Sequence, residues 1–172
     1  MTITSTKSAS WVKSITTSTL VFLSRLTILP ANIKPVGAFG FFGNPILYFA
    51  SIIAFDMFIK GFYPGFWITY LGFAAYPILG FIAKQSRRST RSSLLLLPTA
   101  SFLFFLISNF GVWLLWYPAT WQGLLACYLL AVPFYTRTLV GDLVFGYGYL
   151  FWKEKAWKHV IASCQTLKFA LH

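Results

Sequence analysis

Acid is what this sequence has least of. Only Asp56, Asp142 and Glu154 bear a carboxylate, against fourteen Lys and Arg, which gives a formal charge of +11 over 172 residues. Chemistry that needs paired carboxylates is therefore poorly served: an aspartyl dyad would require Asp56 and Asp142 to share a proton. The run Leu139-Val140-Gly141 before Asp142 also lacks the earlier glycine of a G-x-G-D pattern. Cysteine is as sparse. Cys127 and Cys164 form no C-x-x-C pair, so neither a disulfide nor a metal site is indicated. His159 and His172 both sit in the C-terminal tail, which speaks against a haem held between transmembrane histidines. No phosphate-binding loop, zinc motif or nucleophile elbow occurs. The expectation is a protein that is not an enzyme, with no metal and no cofactor. Segments of alternating polarity about ten residues long, the mark of a transmembrane barrel, are missing too.

Apolar residues are what is abundant. The chain is 58% hydrophobic, 20% aromatic and 10% charged, whereas soluble domains are roughly 25% charged. This composition, with several runs able to cross a ~30 Å hydrocarbon core as helices, predicts an all-α polytopic membrane protein forming a single transmembrane domain. The basic residues fall mostly between or beyond the apolar runs. There they would meet anionic phospholipid headgroups, so lipid rather than nucleic acid is the expected partner of the charge.

Taken in order, residues 1–10 read as a polar tail and 11–29 as a first span. Residues 30–45 hold three prolines and three glycines, which argues for bent, irregular backbone covering one mouth of the bundle. Further spans are expected at 46–61, 66–83, 94–116, 120–134 and 138–152, the last two short and separated by a polar turn at 135–137. Asp56 would close the second span, with Lys60 four residues on as a partner. The result is a six-helix bundle; five spans plus a re-entrant segment is the alternative. The tail 153–172 places Trp157, Val160, Ile161, Leu167 and Leu171 at helical spacing among lysines, as in an amphipathic helix lying on the membrane. For six spans the Lys and Arg residues divide seven and seven between the two sides, so charge does not orient the bundle.

Within 108–145, Asn109, Gln122, Arg137 and Asp142 are spaced among aromatics, and the apolar runs are interrupted at Pro118 and Pro133. Polar groups in such surroundings are costly against lipid, so they should face a bundle interior, a cavity or an interface. Aromatics with a few convergent polar groups suit a small ligand. Asn32, Gly37, Gly40 and Gly43 would shape a loop over a cavity lined by Asn109, Trp113, Tyr117, Trp121, Gln122, Tyr128, Arg137 and Asp142. For Asp142 the expected partner is Arg137, or a neutral donor such as Asn109.

Two blocks carry a resemblance: R-L-T-I-L-P-A-N-I-K-P-V-G-A-F-G-F-F-G at 25–43, and N-F-G-V-W, Y-P-x-T, G-L-L-A-C-Y, P-F and G-D-L within 108–145. They resemble a family of small bacterial six-span membrane proteins described as putative transport proteins, itself similar to the substrate-binding S components of energy-coupling-factor (ECF) vitamin transporters. The resemblance implies a six-helix binding protein in a bacterial cytoplasmic membrane, rather than an organelle membrane. It would hold a small water-soluble ligand and dock on a coupling subunit driven by two ATPases. Docking through small residues at four-residue spacing would fall to Ser14 and Ser18. The competing reading is a non-catalytic accessory subunit of a larger membrane assembly, such as a respiratory or photosynthetic complex, whose aromatic faces and basic tail contact partner helices, pigments or lipid.

Overall fold

A computed structural model of the chain describes Ile15, Thr19, residues 33–86 and residues 89–169, with residues 89 and 156–169 described by their backbone only. The described residues delimit five α-helices and no strand: α1 (Val36–Phe42), α2 (Pro45–Phe55), α3 (Phe66–Gln85), α4 (Ser89–Trp116) and α5 (Trp121–Phe169). Three of them are long and apolar enough to cross a membrane, over Phe66–Gln85, Thr90–Trp116 and Trp121–Lys155. The protein is thus all-α and membrane-associated, and the six-span bundle is corrected to three candidate spans among the described residues.

Each difference from the expected bundle has a local cause. Asn44 caps α2, its Oδ1 accepting from the Ile46 and Leu47 N–H groups, with Pro45 at the first helical position. The helix runs for eleven residues and passes into a five-residue π turn, Asp56–Lys60. Together these fall short of the ~20 residues a span needs. Gly61 and Gly65, at φ 76° and 78°, then reverse the chain into α3.

The two short spans expected at 120–134 and 138–152 are one helix. Pro133 lies inside it, as Pro77 lies inside α3 and Pro98 inside α4. A proline removes only one N–H from the ladder, and in apolar spans neighbouring helices and Ser or Thr side chains re-satisfy what it frees. At Pro98 the freed carbonyl is that of Leu94, four residues earlier, and Tyr147 Oη of α5 donates to it at 2.7 Å. The polar turn expected at 135–137 is helical. Tyr135 points inward, its ring 4.6 Å from that of Phe105, while Arg137 points out. Nor is the tail a separate surface helix, since α5 continues unbroken to Phe169. Its start is fixed by Thr120, whose Oγ1 accepts from the Gly123 N–H at 3.1 Å.

Segment 30–45 bends as expected where it is described, Gly43 and Asn44 separating two helices, but its place in the molecule differs. Over 36–42 it is helical, and α1 covers no mouth: it packs against α3, α4 and α5 together, at the centre of the molecule. Its glycines serve close approach. A Cβ at Gly80 of α3 would stand 1.9 Å from the Phe41 carbonyl oxygen, and one at Gly40 would enter the ring of Tyr48. Phe41, Tyr76, Ala83, Leu97 and Ala100 form the core around this contact. In lipid the hydrophobic effect does not drive helices together, so tight packing of this kind and buried hydrogen bonds must hold the spans. The first expected span, 11–29, lies outside the described residues except for Ile15 and Thr19. Both are helical, and Thr19 Oγ1 donates to the Ile15 carbonyl at 3.0 Å.

Candidate functional site

The polar centre of the molecule is built where α1 meets α5. Pro35 at the start of α1 offers no side-chain cap, so the first N–H groups of that helix need acceptors from elsewhere. Asp142 supplies them. Its carboxylate is 1% exposed, accepts from the Gly37 and Ala38 N–H groups, and accepts from Tyr76 Oη of α3 at 2.5 Å. Ser101 of α4, wholly buried, stands beside the same group without completing a hydrogen bond of ordinary geometry. A Cβ at Gly37 would lie 2.0 Å from Asp142 Oδ1, so glycine is what admits the carboxylate to the helix end. One side chain on α5 thereby ties α1 and α3 together.

The partnership expected for Asp142 is different in the structure. On a regular helix residues five apart point about 140° away from each other. Since α5 does not turn between them, Arg137 is carried to the outer face. Asn109 turns back on its own helix, its Nδ2 donating to the Phe105 carbonyl at 2.8 Å. Asp56 is also held by a tyrosine of α3, Tyr70, whose Oη donates to its Oδ2 at 2.8 Å. The π turn displaces Lys60 from the i+4 position of an ordinary helix, and no ion pair joins Asp56 to Lys60. The two buried aspartates engage different tyrosines and share no proton.

A cleft of about 200 Å³ opens between α4 and α5. Ligand pockets usually run from about 300 to 1,000 Å³. Its polar walls are Ser108, Asn109, Tyr135 and Thr138. Three of these donate to a carbonyl of their own helix: Ser108 Oγ to Phe104 at 2.6 Å, Asn109 Nδ2 to Phe105, and Thr138 Oγ1 to Phe134 at 3.1 Å. The remaining residues of the expected cavity do not converge on it. Trp113 Nε1 donates to the Pro118 carbonyl in the α4–α5 turn, beside which Tyr117 is half-buried. Tyr128 Oη clamps α5 to α4 through the Leu106 carbonyl at 2.7 Å. Trp121, Gln122 and Arg137 are exposed. Gly37 and Gly40 are buried in α1 and Gly43 ends it, its N–H donating to the Phe39 carbonyl. Asn32, Ser14 and Ser18 lie outside the described residues.

Of the expected set, then, only Gly37 and Asp142 meet. Tyr76 and Ser101 were not foreseen as their neighbours, nor Tyr70 as that of Asp56, and nothing in the local sequence marks them within their apolar runs. Among the described residues no group of three or more His, Cys, Asp or Glu is placed to hold a metal ion.

Residues 5–161 match the model of a family of unknown function, DUF6580, and the chain belongs to that family. No curated protein and no solved structure matches it. Membership of this family, with three candidate spans in place of six, corrects the resemblance to ECF S components and the binding-protein architecture it implied.

Proposed function

We propose that the protein is a non-catalytic subunit of a larger membrane assembly, joined to its partners through the outer face of α5. One observation carries this reading. The α5 span is only 11% buried, against 33% for α3 and 28% for α4. The interior polar groups at Asp142 and Asp56 are engaged within the protein, and Ser108, Asn109 and Thr138 of the small cleft bond to their own helix, so the surface offers most of what remains for recognition.

Fusing the last two expected spans into one also bears on orientation. Lys84 and Arg91 flank the α3–α4 connection, and Lys153 lies near enough to Lys84 for their charges to repel. Lys155 is two residues further along α5, whereas Lys60 belongs to the opposite end, before α3. The positive-inside rule turns the Lys84–Lys153 end to the cytoplasm of a bacterial cell, against anionic headgroups. Cysteines introduced at Arg91 and Ala119 should label from opposite faces, the former only from the cytoplasm.

The assembly reading is tested by extracting native membranes in digitonin and measuring the mass of the complex holding the chain. A species well above the 19.5 kDa chain with its detergent, of fixed partner composition, is expected. A monomer across several mild detergents would overturn the reading.

A further inference from the structure

Arg137 is the one described cation in the middle of a span, and it faces outward. It is exposed and has no ion pair or hydrogen bond to its side chain among the described residues. Its depth follows from its neighbours. Tyr135, two residues before it, packs on Phe105, and Asp142, five residues after it, bonds to Tyr76. Phe105 and Tyr76 each lie near the middle of their spans, Thr90–Trp116 and Phe66–Gln85. Arg137 is thus bracketed by two mid-span levels. With a hydrocarbon core ~30 Å thick, the headgroups begin roughly 15 Å from the mid-plane, further than an arginine side chain extends.

A charge held there against lipid is strongly disfavoured, and such residues normally face a partner or a water-filled path. This chain has no acid to offer it. Residues 1–32 contain neither Asp nor Glu. Asp56 and Asp142 are buried and engaged by Tyr70 and Tyr76. Glu154 is seventeen residues further along the same helix, roughly 25 Å away. A second copy brings the same three acids and so supplies no free carboxylate at this depth. The surroundings of Arg137 have the form of a helix-packing seam: Leu130, Pro133, Arg137, Val140, Val144 and Phe151 are all exposed and recur at spacings of three, four or seven.

The geometry points to a docking seam on α5 for a transmembrane helix of a different protein that carries a carboxylate near mid-membrane, with Arg137 as its ion-pair partner. This deepens the subunit reading above and rests on it.

The probe is a synthetic poly-leucine transmembrane helix with one central Glu, beside a twin with Gln, titrated by energy transfer against the full chain in phosphatidylcholine nanodiscs. The Glu helix should bind about tenfold more tightly than the Gln helix, the scale of one interhelical hydrogen bond in lipid. Arg137→Lys should keep most of that preference and Arg137→Gln should abolish it, both with unchanged thermal unfolding. Equal affinity for the two probes, or a preference that survives Arg137→Gln, overturns the inference. So does a preference that vanishes in phosphatidylglycerol, which would assign Arg137 to headgroup phosphate. The two readings fail separately. A monomeric native form with an intact Glu preference sinks the assembly and leaves the seam; a large native complex indifferent to Arg137→Gln does the reverse.

Discussion

In the middle of its membrane span, helix α5 carries two charged residues five positions apart, and the molecule treats them in opposite ways. Asp142 is 1% exposed and bonds to Tyr76 and the first N–H groups of α1. Arg137 is exposed and meets nothing among the described residues. The inner face of the helix is committed to the fold and the outer face is left for something else. In a bilayer this division is sharper than in water, because an unsatisfied polar group has no solvent to fall back on.

Substitutions that break or sharpen this contrast can be ranked. The largest effect is expected from Asp142→Ala, which strands the Tyr76 hydroxyl and the Gly37 and Ala38 N–H groups in a closed interior. Each buried donor left unsatisfied costs about 1–3 kcal/mol, and three are stranded here. Thermal unfolding in detergent should show it; a shift of less than a degree would mean that α1 does not depend on the carboxylate. Gly80→Ala comes next, since the methyl meets a backbone oxygen that no rotamer change can move. Overpacking of this kind costs about 1–3 kcal/mol, and a wild-type melting temperature would show that α1 and α3 are not in such close contact. Tyr76→Phe removes one hydrogen bond to a carboxylate while keeping the ring, for about 1.5–3 kcal/mol. Because both changes act on one bond, the double variant Asp142→Ala/Tyr76→Phe should be far from additive, and additivity would deny the pairing. The smallest effect is expected from Arg137→Leu. A surface change away from any contact falls within about 0.5 kcal/mol, so the isolated protein should melt as wild type, and a large destabilisation would show that Arg137 belongs to the fold.

How much of this was legible beforehand depends on which physical rule applied. Residues 66–83 and 94–116 announced themselves by length and apolarity, and α3 and α4 contain them. The tract 30–45 was rightly read as bent, since Gly43 and Asn44 separate two helices, but Gly37 and Gly40 were misread as breakers. Gly37 and Gly40 instead let a short helix be approached closely by Asp142 and Tyr48. Pro133 and the residues after it misled for the same reason: a proline inside an apolar span does not end it, and the polar turn was a helix with one inward tyrosine and one outward arginine. That count of spans propagated into an even charge balance, which disappears once the two short helices are joined. For the centre itself, the burial of Asp142 was readable from its apolar surroundings. Its partner was not, because Tyr76 is 66 residues away and only the packing of α3 against α5 brings the two together.

The unbroken course of α5 has a mechanical consequence. Beyond Leu150, which is still buried, the helix continues for 19 residues to Phe169, a rod of roughly 28 Å. A tilt of about ten degrees at that point would sweep its far end through roughly 5 Å, given that rise. A partner helix seated against Arg137, as proposed, would therefore also set where the basic end of the rod stands outside the membrane, so that a rearrangement at the seam would be reported, magnified, on the other side of the headgroups.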